Sequence, residues 1–568
     1  MKRKFFLGAL LSLLITTVSF AQSSLGEIYF YTGEYDAAKS FYETQISQSQ
    51  SVAESYYYLG EIAWVKGDAT TAKSDYEKGL AADPEFMLNN VGLGKLLLKT
   101  DLKTAEDYFS TAIKKNKKDV SVLTAIAYAY GQNGMQDKAK LKVSEAQKAN
   151  KKSPYVYICD GDLFLMQKDA SNAIQQYMQA SYFDAENVVA HLKVAQAYMS
   201  TGVSGNDPAI EELQKALTIR PDYIFAYKYL GKIYYSVGNY TSALDAYQKY
   251  FQGGEVSIDD YINYAGALYF AGKHDDALVI VNQGLTKDPN NFVLNRLLMY
   301  LDVAKENYTE GLDVAKKFFS VNKGAAKYLA NDYLAYGTLL VKNKQIPEAL
   351  AQFNKAIEIE PENAFIYKEV ADASSAAGDS REAAKAYKKY IELQADGVQA
   401  IDYFNLGKYY YISGRAAVSQ KTKVNEAGDT IAVEPSDIAL GEEELKEAIA
   451  SFTKVVELFS DSYLGYLWRA RAYSALDLTS EKGLAKPYYE ETEKVILNSN
   501  KDVSPSSSDF KNAFELKEVY GYLSYYSYLQ YEKSKSAEDK AKIKLYCDKL
   551  LTLDPNNQTA HNLLDYIK

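Results

Sequence analysis

One phrase recurs along almost the whole chain at intervals of about 34 residues, and it stands most completely in IFAYKYLGKIYYSVGNYTSALDAYQKYFQGGE, residues 224–255. Its fixed points are small or aromatic: Leu230, Gly231, Tyr234, Gly238, Tyr240, Ala243, Tyr247 and Tyr250. The spacing predicts two antiparallel helices joined at Gly238, with small residues where the helices approach and rings filling the space between. One such unit cannot bury its apolar face alone, so neighbours must stack and a core grows with each copy. A single globular core is excluded for a 568-residue chain written this way.

On these residues the chain resembles the tetratricopeptide repeat proteins. In that frame Gly26, Tyr29, Gly33, Ala38 and Tyr42 open the array, followed by Gly60, Gly67, Ala72 and Tyr76, then Gly94, Ala105 and Phe109. Later units carry Ala127, Gly134 and Ala139; Gly161, Ala173 and Tyr177; Ala195, Ala209 and Ala216; Ala265, Gly272 and Ala277. The ninth unit, with Met299, Tyr308 and Gly311, is the weakest, and the pattern recovers at Gly337, Ala349 and Phe353, then at Ala371, Gly378 and Tyr387. The twelfth begins at Gly407, Tyr410 and Gly414 but finishes at Ala448 and Phe452 only after a long insertion, in which Gly428 and Asp429 suit the turn of a short hairpin. Ala470 and Tyr489 mark the thirteenth, and the fourteenth runs through Tyr520 and Gly521 to a break at Pro555. The reading is therefore a signal peptide 1–21, repeats over 22–414, an insertion loop 415–441, repeats over 442–555 and a capping helix 556–568. The resemblance implies an all-α, right-handed superhelix of about 14 helix pairs, with helix A of each pair lining a concave groove.

Lys2, Arg3 and Lys4 precede an apolar stretch that ends in Ser19, Phe20 and Ala21, the form of a secretory signal cleaved between Ala21 and Gln22. No cysteine follows the cut to carry a lipid, and no later stretch is apolar enough to span a membrane. An exported protein of the bacterial envelope is expected, in the periplasm or associated with the outer membrane. The net charge of −10 disfavours nucleic acid and anionic membranes as partners. Cys159 and Cys547 lie in distant repeats and form no disulfide framework.

Catalysis, metal binding and cofactors find no support. His191, His274 and His561 fall in separate units, far too distant to share a metal or a proton relay. Gly202 to Gly205 lacks the Lys-Ser/Thr ending of a phosphate loop.

Binding chemistry is better represented. Tyrosine fills 52 positions, more than the repeat frame requires. Position counting puts Tyr57, Trp64, Tyr235, Tyr269 and Tyr411 on the groove side of helix A rather than in the core, either exposed to a partner or covered by neighbours. Lys228, Lys232, Lys408 and Arg471 add positive charge on that side and Asn263 adds an amide, which suits an acidic or C-terminal peptide. The five-residue carboxylate clamp known in such repeats is absent, because Lys232, Val293 and Leu297 stand where its other members belong. The expected function is a non-enzymatic scaffold or adaptor for protein or peptide partners. A carbohydrate or nutrient-binding protein and an accessory subunit of a peptidoglycan or outer-membrane assembly machine are the alternatives.

Overall fold

The computed structural model describes residues 25–568 apart from 254–255, 322–326, 395–396, 421, 425–429, 433, 502, 506 and 508. The expected signal cleavage at Ala21 and Gln22 and the hairpin turn at Gly428 and Asp429 lie outside the described residues. Fourteen helix pairs and a final helix, Gln558–Tyr566, follow one another in the described chain, with one two-stranded hairpin among them. The described residues otherwise form only helices and their connections, and the chain divides within helix A of the ninth repeat into two compact units, Met1–Leu297 and Leu298–Lys568.

Three local features recur among the helix pairs. The first is the turn, where Gly238 has φ of +76°, a conformation that costs an L residue about 1 kcal/mol or more. Where the glycine is missing, Lys168, Glu306 and Lys344 take the same left-handed conformation. The second is the cap: Asp68, Asp101, Asp169 and Asn239 each accept a hydrogen bond from the backbone N–H three residues on, which starts helix B.

The third is a ring laid on a glycine. A Cβ on Gly60 would stand 2.4 Å from the ring of Tyr76, and a Cβ on Gly92, in helix A of the next repeat, would stand 2.4 Å from the same ring. The fully buried Tyr76 thus joins its own helix pair to the next one. Gly161 and Tyr177, Gly231 and Tyr247, Gly337 and Phe353, and Gly407 and Phe452 repeat the contact.

Both ends of the insertion in the twelfth repeat are helical, which corrects the expected loop over 415–441. Helix A runs Ala400–Ser419 and helix B runs Pro435–Leu458, far beyond the usual length. Between them Thr422–Val424 (β1) and Thr430–Ala432 (β2) pair antiparallel, with Lys423 opposite Ile431. Gly414, seven residues after Gly407 as the turn glycine Gly238 is after Gly231, is instead inside helix A. A Cβ there would meet the carbonyl of Gly441 at 2.7 Å, and one on Gly441 would meet Ala417 at 2.6 Å. Two glycines facing each other let the extended helices continue side by side where the consensus would turn.

Within the first unit, the turn of repeat one reaches helix A of repeats six (Val188–Met199) and seven (Phe225–Ser236). Gln196 donates its amide N–H to the Thr32 carbonyl at 2.9 Å, and the Thr32 and Tyr223 hydroxyls are 2.7 Å apart. Lys228 donates to both oxygens of Glu34 at 2.8 and 3.0 Å, and the Tyr229 hydroxyl donates to the same carboxylate at 2.7 Å. This clasp closes the unit from its first repeat to its seventh.

Gly231→Leu is expected to lower stability by about 1–3 kcal/mol through overpacking against Tyr247, measured by denaturant unfolding; an unshifted midpoint would contradict the ring contact. Glu34→Ala leaves Lys228 without its partner, and hydrogen exchange over Tyr35–Ser47 should accelerate by the equivalent of about 1–3 kcal/mol, with Gln136–Ala149 unaffected. Equal protection in both helices would show that the clasp does not hold the first repeat.

Candidate functional site

Helix spacing gathers one face of several A helices around a cavity of about 710 Å³ in the first unit. In Val52–Val65, the residues Glu54, Tyr57, Tyr58, Glu61 and Val65 share one helix face, related by three- and four-residue spacings such as 54 to 58, 57 to 61 and 61 to 65, and all line it. Val120–Gln132 contributes Thr124, Tyr128 and Gln132 in the same way, and Pro154–Met166 contributes Tyr155 and Asp162. The first repeat closes the cavity with Glu27, Phe30, Tyr31 and Tyr35. Its walls are aromatic: Phe30 meets Tyr58 edge-on at 5.1 Å, and Tyr42 stacks behind Tyr58 at 4.7 Å.

Two of its carboxylates are anchored by the same arrangement. Glu61 accepts hydrogen bonds from the Tyr76 hydroxyl at 2.7 Å and from Lys95, on the next A helix, at 2.5 Å. Asp162 accepts from the hydroxyls of Tyr177 and Tyr128 and, at 2.8 Å, from Lys193 of the next A helix. Burial pulls the pKa of Lys95 down against the opposing pull of Glu61. Sequence reasoning passed over Glu61, Lys95, Asp162 and Lys193, treating Tyr76 and Tyr177 as core rings only.

The signal was present. An acid stands fifteen residues before each of these tyrosines, whereas Phe109 and Phe353 follow Gly94 and Thr338. The rule fails at Tyr387, whose hydroxyl turns to Asp402 instead.

Glu27 and Glu54 are held differently. Glu27 accepts from the Tyr58 hydroxyl at 3.0 Å, and burial still raises its pKa. Burial and the neighbouring charge of Glu27 push Glu54 up to about 7. Tyr31, Tyr57 and Tyr58 are raised further by burial and remain protonated.

The residues singled out from sequence fall into separate places. Tyr57 and Tyr411 are each only 8% exposed, so they are covered, by Tyr58, Tyr76 and Phe86 in one case and by Trp468 in the other. Trp64 is half-buried with the Lys95 ammonium 5.4 Å from its ring. Tyr235 and Tyr269 are half-buried and both touch the exposed Phe270, with Tyr269 also against His274. Lys232 and Asn263 are half-buried in the same two A helices.

The expected free positive charge is corrected at two positions. Lys228 is taken by Glu34 of the clasp, and Arg471 makes a paired contact with Glu518 at 2.8 and 2.6 Å. In the second unit, Lys408, Tyr411 and Arg471 do come together, all three against Trp468, with Phe404 edge-on to the same ring.

The tetratricopeptide repeat model matches residues 24–85. BBSome complex member BBS4 of Bos taurus is 24% identical over 229 residues, covering 40% of this chain and 44% of that protein. Tetratricopeptide repeat protein 1 of Schizosaccharomyces pombe is 26% identical over 152 residues, 26% of this chain and 15% of that protein. The chain thus spans less than half the length of these curated relatives. Among solved structures, the C-terminal part of a TPR repeat-containing protein of Cytophaga hutchinsonii is 25% identical, covering 53% of this chain and 99% of its own, with a TM-score of 0.37. A tetratricopeptide repeat protein of Parabacteroides merdae is 18% identical over 44% of this chain and 96% of its own, with a TM-score of 0.30. The family match over residues 24–85 agrees with the recurring phrase and the ring-on-glycine helix pairs, and in these the chain is similar to the tetratricopeptide repeat proteins.

Proposed function

We propose that the protein is a non-enzymatic scaffold of the bacterial envelope, exported to the periplasm, that holds partner proteins against the A-helix side of its repeats. The observation that carries this reading is where aromatic rings and long cationic side chains gather on the A helices. The Tyr235, Tyr269 and Phe270 rings, with Lys232 and Asn263 on the same helices, form one patch in the first unit. Phe404, Lys408, Tyr411, Trp468 and Arg471 form another in the second. Rings backed by long cationic side chains are the composition of interface hot spots, and several such patches on one chain raise affinity by acting together.

The three histidines support a structural role for these residue types. His191 bridges Glu212 and the Ala185 carbonyl, His274 lies beside Tyr269, and His561 meets the Pro555 carbonyl. One curated relative is named as a member of a protein complex, which agrees with assembly as the activity. The export part of the reading rests on Lys2 to Lys4, the apolar stretch and Ala21.

Photo-crosslinking in the native envelope tests the face. A crosslinkable residue at Lys232, Asn263 or Lys408 should capture discrete partner bands, and one at the exposed Asp245 of helix B should capture none; equal capture from Asp245 would overturn the A-side assignment. Mass spectrometry of the mature protein should find Gln22 at its N-terminus, and an intact Met1 would overturn export by cleavage.

A further inference from the structure

The cavity of the first unit carries a charge imbalance that its own residues leave open. Of its lining carboxylates, Glu61 is paired with Lys95, Asp162 with Lys193 and Glu85 with Lys115, while Asp119 caps its helix through the N–H groups of Ser121 and Val122. Glu27 and Glu54 have no ion pair among the described residues. A third acceptor agrees with them in sign: the side-chain oxygen of Gln132, which also lines the cavity, is buried without a hydrogen-bond partner. Each of these groups calls for a donor or a positive charge. Beside them stand the rings of Phe30, Tyr31, Tyr57 and Tyr58.

A metal ion suits this set poorly, because no group of three or more ligating side chains is assembled among the described residues. An alkylammonium or guanidinium suits it well, since its charge is met by carboxylates while its stem and its head both gain from aromatic faces. The volume, about 710 Å³, is that of a small-ligand site.

We propose that this cavity binds an organic cation, an alkylammonium or guanidinium on an apolar stem, with its charge on Glu27 and Glu54 and its stem on the rings of Phe30, Tyr31, Tyr57 and Tyr58. The cation is supplied either by a free amine or by a lysine or arginine side chain of a partner. The site does not depend on the scaffold reading above. Its pH dependence follows from the groups around Glu54: Glu27 and Tyr31 from the first helix, Tyr42 from the second, Tyr57, Tyr58 and Glu61 on its own helix, Tyr155 from the fifth repeat and the Glu85–Lys115 pair. The tyrosines stay neutral near pH 7, so the change falls on the Glu27 and Glu54 pair, both raised by burial and Glu54 to about 7. Protonated, Glu54 gives no attraction; as pH rises through about 7 it ionises and the cation is held.

Calorimetry on the purified chain tests this with three probes: 1,5-diaminopentane, a blocked Ala-Lys-Ala peptide and its norleucine analogue. The diamine, the lysine peptide or both should bind saturably, more tightly at pH 8 than at pH 6 by about tenfold or more, and the norleucine peptide should not. Binding of the diamine alone identifies a free amine as the source, and binding of the peptide alone identifies a partner's side chain. Glu54→Gln and Glu27→Gln remove mutual repulsion, so neither should lower the melting temperature, yet each should weaken binding by at least about tenfold, and Glu54→Gln should flatten the pH dependence. Failure of both cations to bind, equal binding of the norleucine peptide, or unchanged binding by the Gln variants would each overturn the proposal.

Discussion

The contact on which the rest depends is an aromatic ring lying on a glycine. Tyr76 touches Gly60 on one side and Gly92 on the other, so close that neither glycine has room for a methyl group. Dispersion and burial at that contact set the distance between the helices of a pair and between one pair and the next. Because the same contact positions each pair against its neighbours, the face that helix A presents is fixed by repetition. Functional side chains can then vary along that face without disturbing the core.

The tip of the same ring does a second job. A phenylalanine would fill the space as Phe109 and Phe353 do, but the hydroxyls of Tyr76 and Tyr177 reach through to Glu61 and Asp162. Each carboxylate also receives a lysine from the following repeat, so a buried charge is paired and hydrogen-bonded rather than left bare. The core contact and the polar lining of the cavity are thus two ends of one residue. With those two carboxylates satisfied, Glu27 and Glu54 are left as the cavity's unmet charge.

Much of this was legible in the chain. Gly67, Gly238 and Gly378 announced their turns, since left-handed backbone favours glycine at a fixed interval, and Ala72, Ala243 and Ala277 announced the close helix faces. Gly414 misled because a glycine at a turn position and a glycine under a crossing helix look the same in sequence; only its apposition to Gly441 tells them apart. The pairing of Lys228 with Glu34 was invisible for another reason. It joins residues 194 apart, and it depends on how many repeats bring the stack back to its start. Tyr57 and Tyr411 were placed on the correct helices, but whether a ring is covered depends on the neighbouring repeats, here on Phe86 and Trp468.

The claim at the centre of the account is that these tyrosines hold the stack with their rings and the cavity lining with their hydroxyls. Native-state hydrogen exchange on the paired substitutions Tyr76→Phe with Tyr177→Phe, and Tyr76→Ala with Tyr177→Ala, separates the two roles. The account predicts that the phenylalanine pair keeps the helices and loses about 1.5–3 kcal/mol of protection at each site, while the alanine pair loses about 3–5 kcal/mol at each. Equal losses from both pairs, or full protection in the phenylalanine pair, would contradict it.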